Sequence, residues 1–410
     1  MIEQSVDRAP QASARVEPNE PSVPGLHVGL ESLHPDRSLD FQLNRWVAYA
    51  GAPMIADIRS MGYRLGSLDE WKRAFLELHD RALAEGRTLA AALHLRSAEF
   101  FMIAGDPRKP AARREIVALL RAAYGVAAPS SIPYAGAMLP VYRLTPTQPR
   151  DTVVIFGGFD SYIEEFFALL VALRDDGFDV VAFEGPGQGA VLEEGGVPMT
   201  VDWHLPVAAV LDAFGLDDVT LVGISLGGCL AIRAAALEPR VHRVVAFDVL
   251  ADFRECLLAQ IPGPRRSVLR ALLALRADRA IDALVRRDHR PIVEWGVAQG
   301  MHVFGVATPH AFFHEAGRYV TRDLSPRVLQ DVLLCAGADD HYVPLRQLAD
   351  QKATLTRARS VTSRVFTRAE SGQSHCQIGN LPLALRTIAQ WIETVKPSRQ
   401  APRTRHGVRS

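Results

Sequence analysis

Apolar positions in the first third of the chain recur at helical spacing. Ser67 and Glu70 form a capping box ahead of a helix with apolar residues at Trp71, Phe75, Leu76, Leu78, Ala82 and Leu83. The same spacing predicts helices over residues 89–103 and 111–124, the second ended by Gly125. No strand-like alternation interrupts this stretch. We therefore expect an all-helical domain over residues 39–128.

After residue 130 the pattern changes to short runs rich in β-branched residues. Strands are predicted at 138–144, 152–156, 179–183, 219–223, 241–247, 331–335 and 360–366. Continuously apolar runs are typical of strands covered on both faces, and helical segments separate most of them. This predicts an α/β domain with a mostly parallel sheet over 129–395. The long gap before the run at 331–335 predicts a helical insertion over about 253–325.

One strand leads into a Gly-x-Ser-x-Gly turn. The run at 219–222 is followed by Gly223-Ile224-Ser225-Leu226-Gly227 and an Ala-rich helix at 230–237. A strand–turn–helix is the setting in which this motif exposes a nucleophilic serine, and the helix N-terminus offers N–H groups to an oxyanion. We predict that Ser225 is the nucleophile and that the N–H of Leu226 is one oxyanion donor. The competing interpretation is a serine in a tight glycine turn.

A serine nucleophile needs a base and an acid, which in this kind of domain follow it in the order acid, then histidine. Asp340 lies in the loop after the strand at 331–335, and the spacing Gly-x-x-Asp-x-x-x-Pro favours it over Asp339. Asp248, which ends the preceding strand, is the alternative acid. His375, in the loop after the last strand, is the predicted base, with His341 as the alternative.

The second oxyanion donor is expected after the strand at 152–156. The loop there reads Gly157-Gly158-Phe159-Asp160-Ser161, and its two glycines allow a substrate carbonyl to approach the backbone. Phe159 or Gly158 is the predicted donor. The alternative is a plain helix-start turn capped by Ser161.

Two further patterns carry no separate chemistry. The Gly-rich run at 184–190 lacks the Gly-Lys-Ser/Thr of a phosphate loop, and no convincing helix opens after it, which favours a structural loop near the site entrance. His302, His310 and His314 lack Glu-x-x-His support, so we expect no metal site and no cofactor.

Composition excludes several partner classes. The chain has 410 residues, with 46 Lys+Arg balancing 46 Asp+Glu, which argues against nucleic acid as a partner. The segment 1–38 is predicted to be disordered or loosely attached, and it has no secretory h-region. Residues 396–410 are predicted to form a basic flexible tail. The longest apolar run, 166–173, is too short to span a membrane. Four scattered cysteines favour free thiols and a cytoplasmic location. The expected partner is a small, uncharged organic substrate, and a homodimer stays open.

Several motifs in order resemble one enzyme family. Besides the serine turn, they are Gly157-Gly158-Phe159-Asp160-Ser161, Phe183-Glu184-Gly185-Pro186-Gly187-Gln188-Gly189, Gly337-Ala338-Asp339-Asp340-His341-Tyr342-Val343-Pro344, His375-Cys376-Gln377-Ile378-Gly379-Asn380 and, in the helical part, Arg96-Ser97-Ala98-Glu99-Phe100-Phe101 with Asp106-Pro107-Arg108-Lys109. The chain resembles the α/β-hydrolases with an N-terminal helical domain, a group that includes the 2,6-dihydroxypseudooxynicotine hydrolase and fungal polyketide-shortening hydrolases. The resemblance implies Ser225, Asp340 and His375 as a catalytic triad and a substrate pocket between the two domains. One departure is Glu184, where many relatives have Asp.

These features predict a serine hydrolase acting on a ketone (C–C bond), ester or lactone of an aromatic or polyketide-like molecule. C–C cleavage benefits from an additional acid, for which Glu255, Asp160 and Asp248 are candidates. The alternatives are an acyltransferase or cyclase of secondary metabolism that uses the same triad, and a regulatory protein on a hydrolase scaffold.

Overall fold

Five helices precede the sheet in the computed structural model, which describes residues 25–62 and 65–396. They are α1 (Arg37–Ala50), α2 (Ala52–Ser60), α3 (Leu68–Ala84), α4 (Thr88–Phe100) and α5 (Lys109–Tyr124). The side chain of Ser67 accepts a hydrogen bond from the N–H of Glu70, which is one of the two bonds of the capping box predicted for α3. Gly125 ends α5 in the left-handed conformation, at φ 63°, where glycine carries no Cβ penalty.

The sheet has eight strands in the described residues. They are β1 (Ser130–Tyr134), β2 (Ala137–Leu144), β3 (Asp151–Phe156), β4 (Phe178–Phe183), β5 (Val219–Ile224), β6 (Val241–Phe247), β7 (Asp331–Gly337) and β8 (Ser360–Phe366). Their order is β1-β2-β4-β3-β5-β6-β7-β8. The β1–β2 and β2–β4 pairs are antiparallel, whereas the other pairs are parallel. The mostly parallel α/β sheet is therefore confirmed; β1 is an addition that the hydrophobic pattern did not predict.

The remaining helices connect or flank the strands. They are α6 (Phe167–Asp175), α7 (Gly189–Glu193), α8 (His204–Phe214), α9 (Leu226–Ala235), α10 (Phe253–Ala259), α11 (Gly263–Ala274), α12 (Asp278–Arg286), α13 (Pro291–Val303), α14 (Pro309–Ala316), α15 (Arg346–Thr354) and α16 (Leu381–Val395). Helices α10 to α14 fill the region between β6 and β7 where an insertion was predicted. The expectation that no helix opens after the Gly-rich run was wrong, because the five-residue α7 starts at Gly189.

Two apolar layers cover the sheet, as its continuously apolar strands require. Alternate residues of β3 face opposite sides: Val153 and Ile155 belong to one buried cluster, and Val154 and Phe156 to the other. The first cluster contains α6, α16 and most of the N-terminal helices. The second contains α8, α9 and the helices between β6 and β7. The N-terminal helices thus share a core with the sheet.

The described part of the N-terminal segment is held by backbone hydrogen bonds. The N–H of His27 donates to Ala48 O at 2.9 Å, and the N–H of Gly29 donates to Gly379 O at 2.8 Å. The rest of the segment predicted to be loose, residues 1–24, and the predicted tail beyond residue 396 lie outside the described residues. Within the described ranges, no helix combines the length and apolarity needed to cross a bilayer.

Candidate active site

Ser225 lies on the sharp turn between β5 and α9. Its backbone is in a region that side-chain-bearing residues rarely adopt, at φ 60° and ψ −122°. The turn closes tightly: a Cβ on Gly223 would overlap Gly227 O, and a Cβ on Gly227 would lie 2.6 Å from Gly157 O. Both glycines are therefore required by close packing. The strain holds the Ser225 side chain at the carboxyl edge of the sheet.

The acid and the histidine reach the same edge from β7 and β8. His375 Nε2 lies 2.8 Å from Ser225 Oγ, and His375 Nδ1 lies 2.6 Å from Asp340 Oδ2. The N–H groups of Tyr342 and Val343 donate to Asp340 Oδ1 at 2.7 and 3.0 Å, which fixes the carboxylate. The structure therefore brings the three predicted residues together in a Ser–His–Asp chain of hydrogen bonds.

The alternative acids are distinguished by their partners. The carboxylate of Asp339 pairs with Arg368 at 2.7 Å instead of with the histidine. Asp248 Oδ2 lies 3.8 Å from His375 Nδ1, which is farther than Asp340 but still inside the site. Sequence reasoning placed these acids in the right loops, and the geometry favours Asp340 as the direct partner.

The pKa values of His375 and Asp340 shift in opposite directions. Burial acts to lower the pKa of His375, but the negative charge of Asp340 raises that pKa well above its usual value. Burial acts in the opposite sense on Asp340, and the charge of His375 together with its hydrogen bond keeps the pKa of Asp340 below its usual value. The buried pair is therefore stabilised as an ion pair when His375 is protonated.

The loop after β3 lies against the serine turn. An ideal Cβ on Gly158 would lie 2.8 Å from both Ile224 O and Leu226 N, so only glycine permits this approach. The N–H of Gly158 donates to Ser161 Oγ at 3.4 Å. The N–H groups of Leu226 and Phe159 have no hydrogen-bond acceptor among the described residues. Of the two predicted donors in this loop, the geometry favours Phe159.

Gln188 holds the loop after β3, a role that sequence reasoning missed. Its side chain is 3% exposed; Nε2 donates to Gly157 O at 2.8 Å and to Gly158 O at 3.1 Å. Its Oε1 accepts from the N–H of Gly185 at 3.1 Å. The C=O of Gly158 and the N–H of Phe159 belong to one planar peptide group, so Gln188 sets the direction of that N–H.

A buried charge cluster joins the same loop to the N-terminal helices. This Arg96 cluster consists of Arg45, Arg96, Glu99, Lys109 and Glu165. The Arg96 guanidinium donates to Glu165 Oε1 at 2.6 Å, to Glu99 Oε2 at 2.5 Å and to the backbone oxygen of Asp160 at 2.7 Å. Asp160, predicted as an auxiliary acid, pairs with Arg45 at 3.3 Å. The cluster therefore fastens the candidate oxyanion loop to α1 and α4.

A cavity lies between these helices and the sheet domain. The space that water-sized molecules can occupy there is about 20 Å³, and it borders the oxyanion loop at Phe159. Its aromatic walls are Phe100, Phe159, Tyr162 and Trp295. Its described lining does not include Ser225, Asp340 or His375.

Two other predicted candidates are placed differently. The carboxylate of Glu255, which stays a predicted auxiliary acid, pairs with Arg270 and with Arg346. His341 packs against Tyr342, with ring centroids 3.9 Å apart, and burial lowers its pKa to about 4.

Three histidines were predicted not to form a metal site. His302 pairs with Glu193 at 3.2 Å, His310 with Asp282 at 2.9 Å and His314 with Asp278 at 3.0 Å. Within the described residues, the one group of potential ligands that converges within 4.8 Å is Asp248, Asp340 and His375. Because Asp340 and His375 bond to each other in this group, we interpret it as part of the Ser–His–Asp hydrogen-bond chain.

Comparison with known proteins places the chain among hydrolases. Residues 151–292, which include Ser225 and the loop after β3, match the family described as alpha/beta hydrolase fold. Hydrolase acrC of Aspergillus aculeatus is 29% identical over 334 aligned positions, and the match covers 69% of this chain and 77% of the fungal protein. The 20-hydroxy-prefusarin hydrolase FUS2 of Gibberella moniliformis is 32% identical over 186 positions, which cover 42% of each chain.

A solved structure shares the architecture over most of the chain. The crystal structure of the 2,6-dihydroxy-pseudo-oxynicotine hydrolase superposes with a TM-score of 0.60 at 21% identity. The match covers 87% of this chain and 95% of that one, so it includes the N-terminal helices as well as the sheet. At this identity the likeness concerns the fold.

Proposed function

We propose that this chain, an α/β-hydrolase with N-terminal helices before the sheet, is a serine hydrolase that uses Ser225, His375 and Asp340 on a carbonyl substrate. The carrying observation is that one imidazole bonds to the serine hydroxyl on one side and to a carboxylate on the other, at 2.8 and 2.6 Å. This is the arrangement that activates a serine hydroxyl as a nucleophile.

The reaction begins with attack of Ser225 Oγ on the carbonyl carbon, while His375 Nε2 takes the hydroxyl proton. The carbonyl oxygen becomes an oxyanion and accepts hydrogen bonds from the N–H groups of Leu226 and Phe159. The bond to the leaving group then breaks, and the leaving atom takes the proton from His375. Water attacks the acyl-serine, gives a proton to His375 and releases a carboxylic acid, after which the proton returns to Ser225.

The aromatic side chains beside the oxyanion loop support an aromatic or polyketide-like ketone, ester or lactone as substrate. Phe100, Phe159, Tyr162 and Trp295 line a small pocket there and offer faces on which planar, conjugated molecules can stack. Such molecules also stabilise the carbanion that leaves when a C–C bond breaks. The charged lining residues of this pocket are already paired: Lys109 lies 2.8 Å from Glu99, and Arg96 bonds to Glu165. Paired charges demand no countercharge from the ligand, which favours an uncharged substrate.

The test compares aryl esters, lactones and aromatic 1,3-diketones as substrates in oxygen-18 water. We expect turnover by the wild type, label in the product acid and no turnover by Ser225→Ala. Ser267→Ala is the matched control, because Ser267 is exposed and bonds only to Gly263 O in its own helix. Full activity of Ser225→Ala would contradict the proposal, and an unlabelled product would indicate transfer to a nucleophile other than water.

A further inference from the structure

The geometry points to Asp248 as a positioning residue: it is a neutral carboxylic acid that donates its proton to Asp340 and thereby moderates how strongly Asp340 holds a proton on His375. This inference deepens the proposed function and rests on it. The mechanism above assigns Asp248 no role, although the residue is 1% exposed and ends β6 inside the site. A buried acid whose nearest cationic group, His375, already bonds to Asp340 needs an explanation.

Asp248 lies where the three strand ends meet. Its Oδ2 is 3.8 Å from His375 Nδ1, and its Oδ1 accepts from the N–H of Val249 at 3.1 Å. Its Oδ2 also accepts longer hydrogen bonds from the N–H of Cys376 at 3.3 Å and from Gln377 Nε2 at 3.4 Å. Asp248 therefore accepts a hydrogen bond from the backbone next to His375 and also faces Asp340.

Burial and the charge of Asp340 favour the protonated form of Asp248. Burial and then repulsion by Asp340 raise the pKa of Asp248 well above its usual value. The titratable groups that face it are Asp340 from the loop after β7, His375 and Cys376 from the loop after β8, and Cys335 of β7. Burial raises the pKa of both thiols, so neither adds a charge near neutral pH. The carboxylates of Asp248 and Asp340 approach within 4.8 Å of each other, and ionising both at that distance in a buried site costs free energy.

A proton shared between Asp248 and Asp340 changes the pKa of His375. A hydrogen bond from protonated Asp248 to Asp340 would draw negative charge from Asp340, so the imidazolium would be held less tightly than by an isolated carboxylate. Without that donor, Asp340 would act fully on His375, and the pKa of His375 would rise further. The neutral imidazole, which is the form that accepts the Ser225 proton, would then appear only at higher pH.

The test measures the rate of Ser225 labelling by a fluorophosphonate as a function of pH, which requires no known substrate. In Asp248→Leu we expect the acidic limb to move up by about one pH unit, the lower end of shifts caused by nearby charge. Asp248→Asn keeps a donor toward Asp340, so its limb should stay with the wild type. Glu164→Gln, which alters a different buried acid, is the matched control and should leave the limb in place.

The outcomes separate the inference from the proposed function. If the wild type is not labelled at Ser225, the proposed function fails. If it is labelled but Asp248→Leu lowers the plateau with no movement of the limb, Asp248 is merely structural and the inference is overturned. An infrared difference spectrum of wild type minus Asp248→Asn at neutral pH decides the matter even if the leucine variant does not fold. We expect a protonated carboxylic-acid carbonyl band; carboxylate bands alone would overturn the inference.

Discussion

Removal of the Gln188 side chain should weaken the oxyanion hole through the peptide group that this side chain holds. Gln188→Ala deletes the two hydrogen bonds to Gly157 O and Gly158 O, and with them the restraint on the peptide group that carries the Phe159 N–H. Complete loss of one oxyanion donor costs about 3 kcal/mol, or roughly 150-fold in kcat. Loss of a single net hydrogen bond costs about 1 kcal/mol, or roughly fivefold. We therefore expect kcat to fall by a factor between about 5 and 150.

The assay is steady-state turnover of an activated aryl ester, with thermal unfolding measured in parallel. KM should change less than kcat, because Gln188 lines the pocket but acts on the transition-state oxyanion through the peptide group. Gln330→Ala is the matched control, since that glutamine also bonds a backbone carbonyl, Ala235 O at 2.7 Å, but lies away from the candidate site. A folded Gln188→Ala protein with kcat within about twofold of wild type would refute the reasoning.

Three further predictions concern stability. Arg96→Met should destabilise the fold by about 3–5 kcal/mol in denaturant unfolding, because it leaves Glu99 and Glu165 buried with fewer partners. Gly223→Ala should abolish soluble folded protein in an expression assay, since the new Cβ would overlap Gly227 O. Burial and the charge of Glu184 raise the pKa of Glu164 from 4.5 to about 7, so the folded protein holds an extra proton in that window and stability falls as pH rises through it. The stability gained by Glu164→Gln should therefore grow between about pH 4.5 and 7 and stay constant above.

Each stability prediction has a contrary outcome. Arg59→Met breaks an exposed pair with Glu31 and should cost at most about 1 kcal/mol; an equal cost for Arg96→Met would mean that the Arg96 cluster is not held together by its charges. A folded Gly223→Ala protein would show that the turn can relax. A pH-independent effect of Glu164→Gln would show that Glu164 is ionised in the folded protein.

The hydrophobic pattern predicted the parallel strands well because those strands are buried on both faces. β6 and β8 begin and end at the predicted residues. β1 was missed because most of its residues are exposed and it contains Pro133, so it carries neither an apolar run nor clear alternation. Helix α9 was predicted to start at residue 230 but begins at Leu226, directly after the strained serine.

The candidate site was predictable where a residue's role follows from its place after a strand, as for Ser225, Asp340 and His375. It was not predictable where a role depends on which groups meet in space. Gln188 bonds to carbonyls about 30 residues away in the chain, and its motif does not indicate this. Glu255 likewise pairs with two arginines from other helices, Arg270 and Arg346, which its own position in sequence does not indicate.

The central claim is that Ser225 is a nucleophile activated by His375. Its most direct test is fluorophosphonate labelling followed by mass spectrometry of the digested protein. The account predicts one adduct, on the peptide that contains Ser225, with no adduct in Ser225→Ala and labelling slowed at least about a thousandfold in His375→Ala. Labelling on a different serine, or at an unchanged rate in His375→Ala, would contradict it.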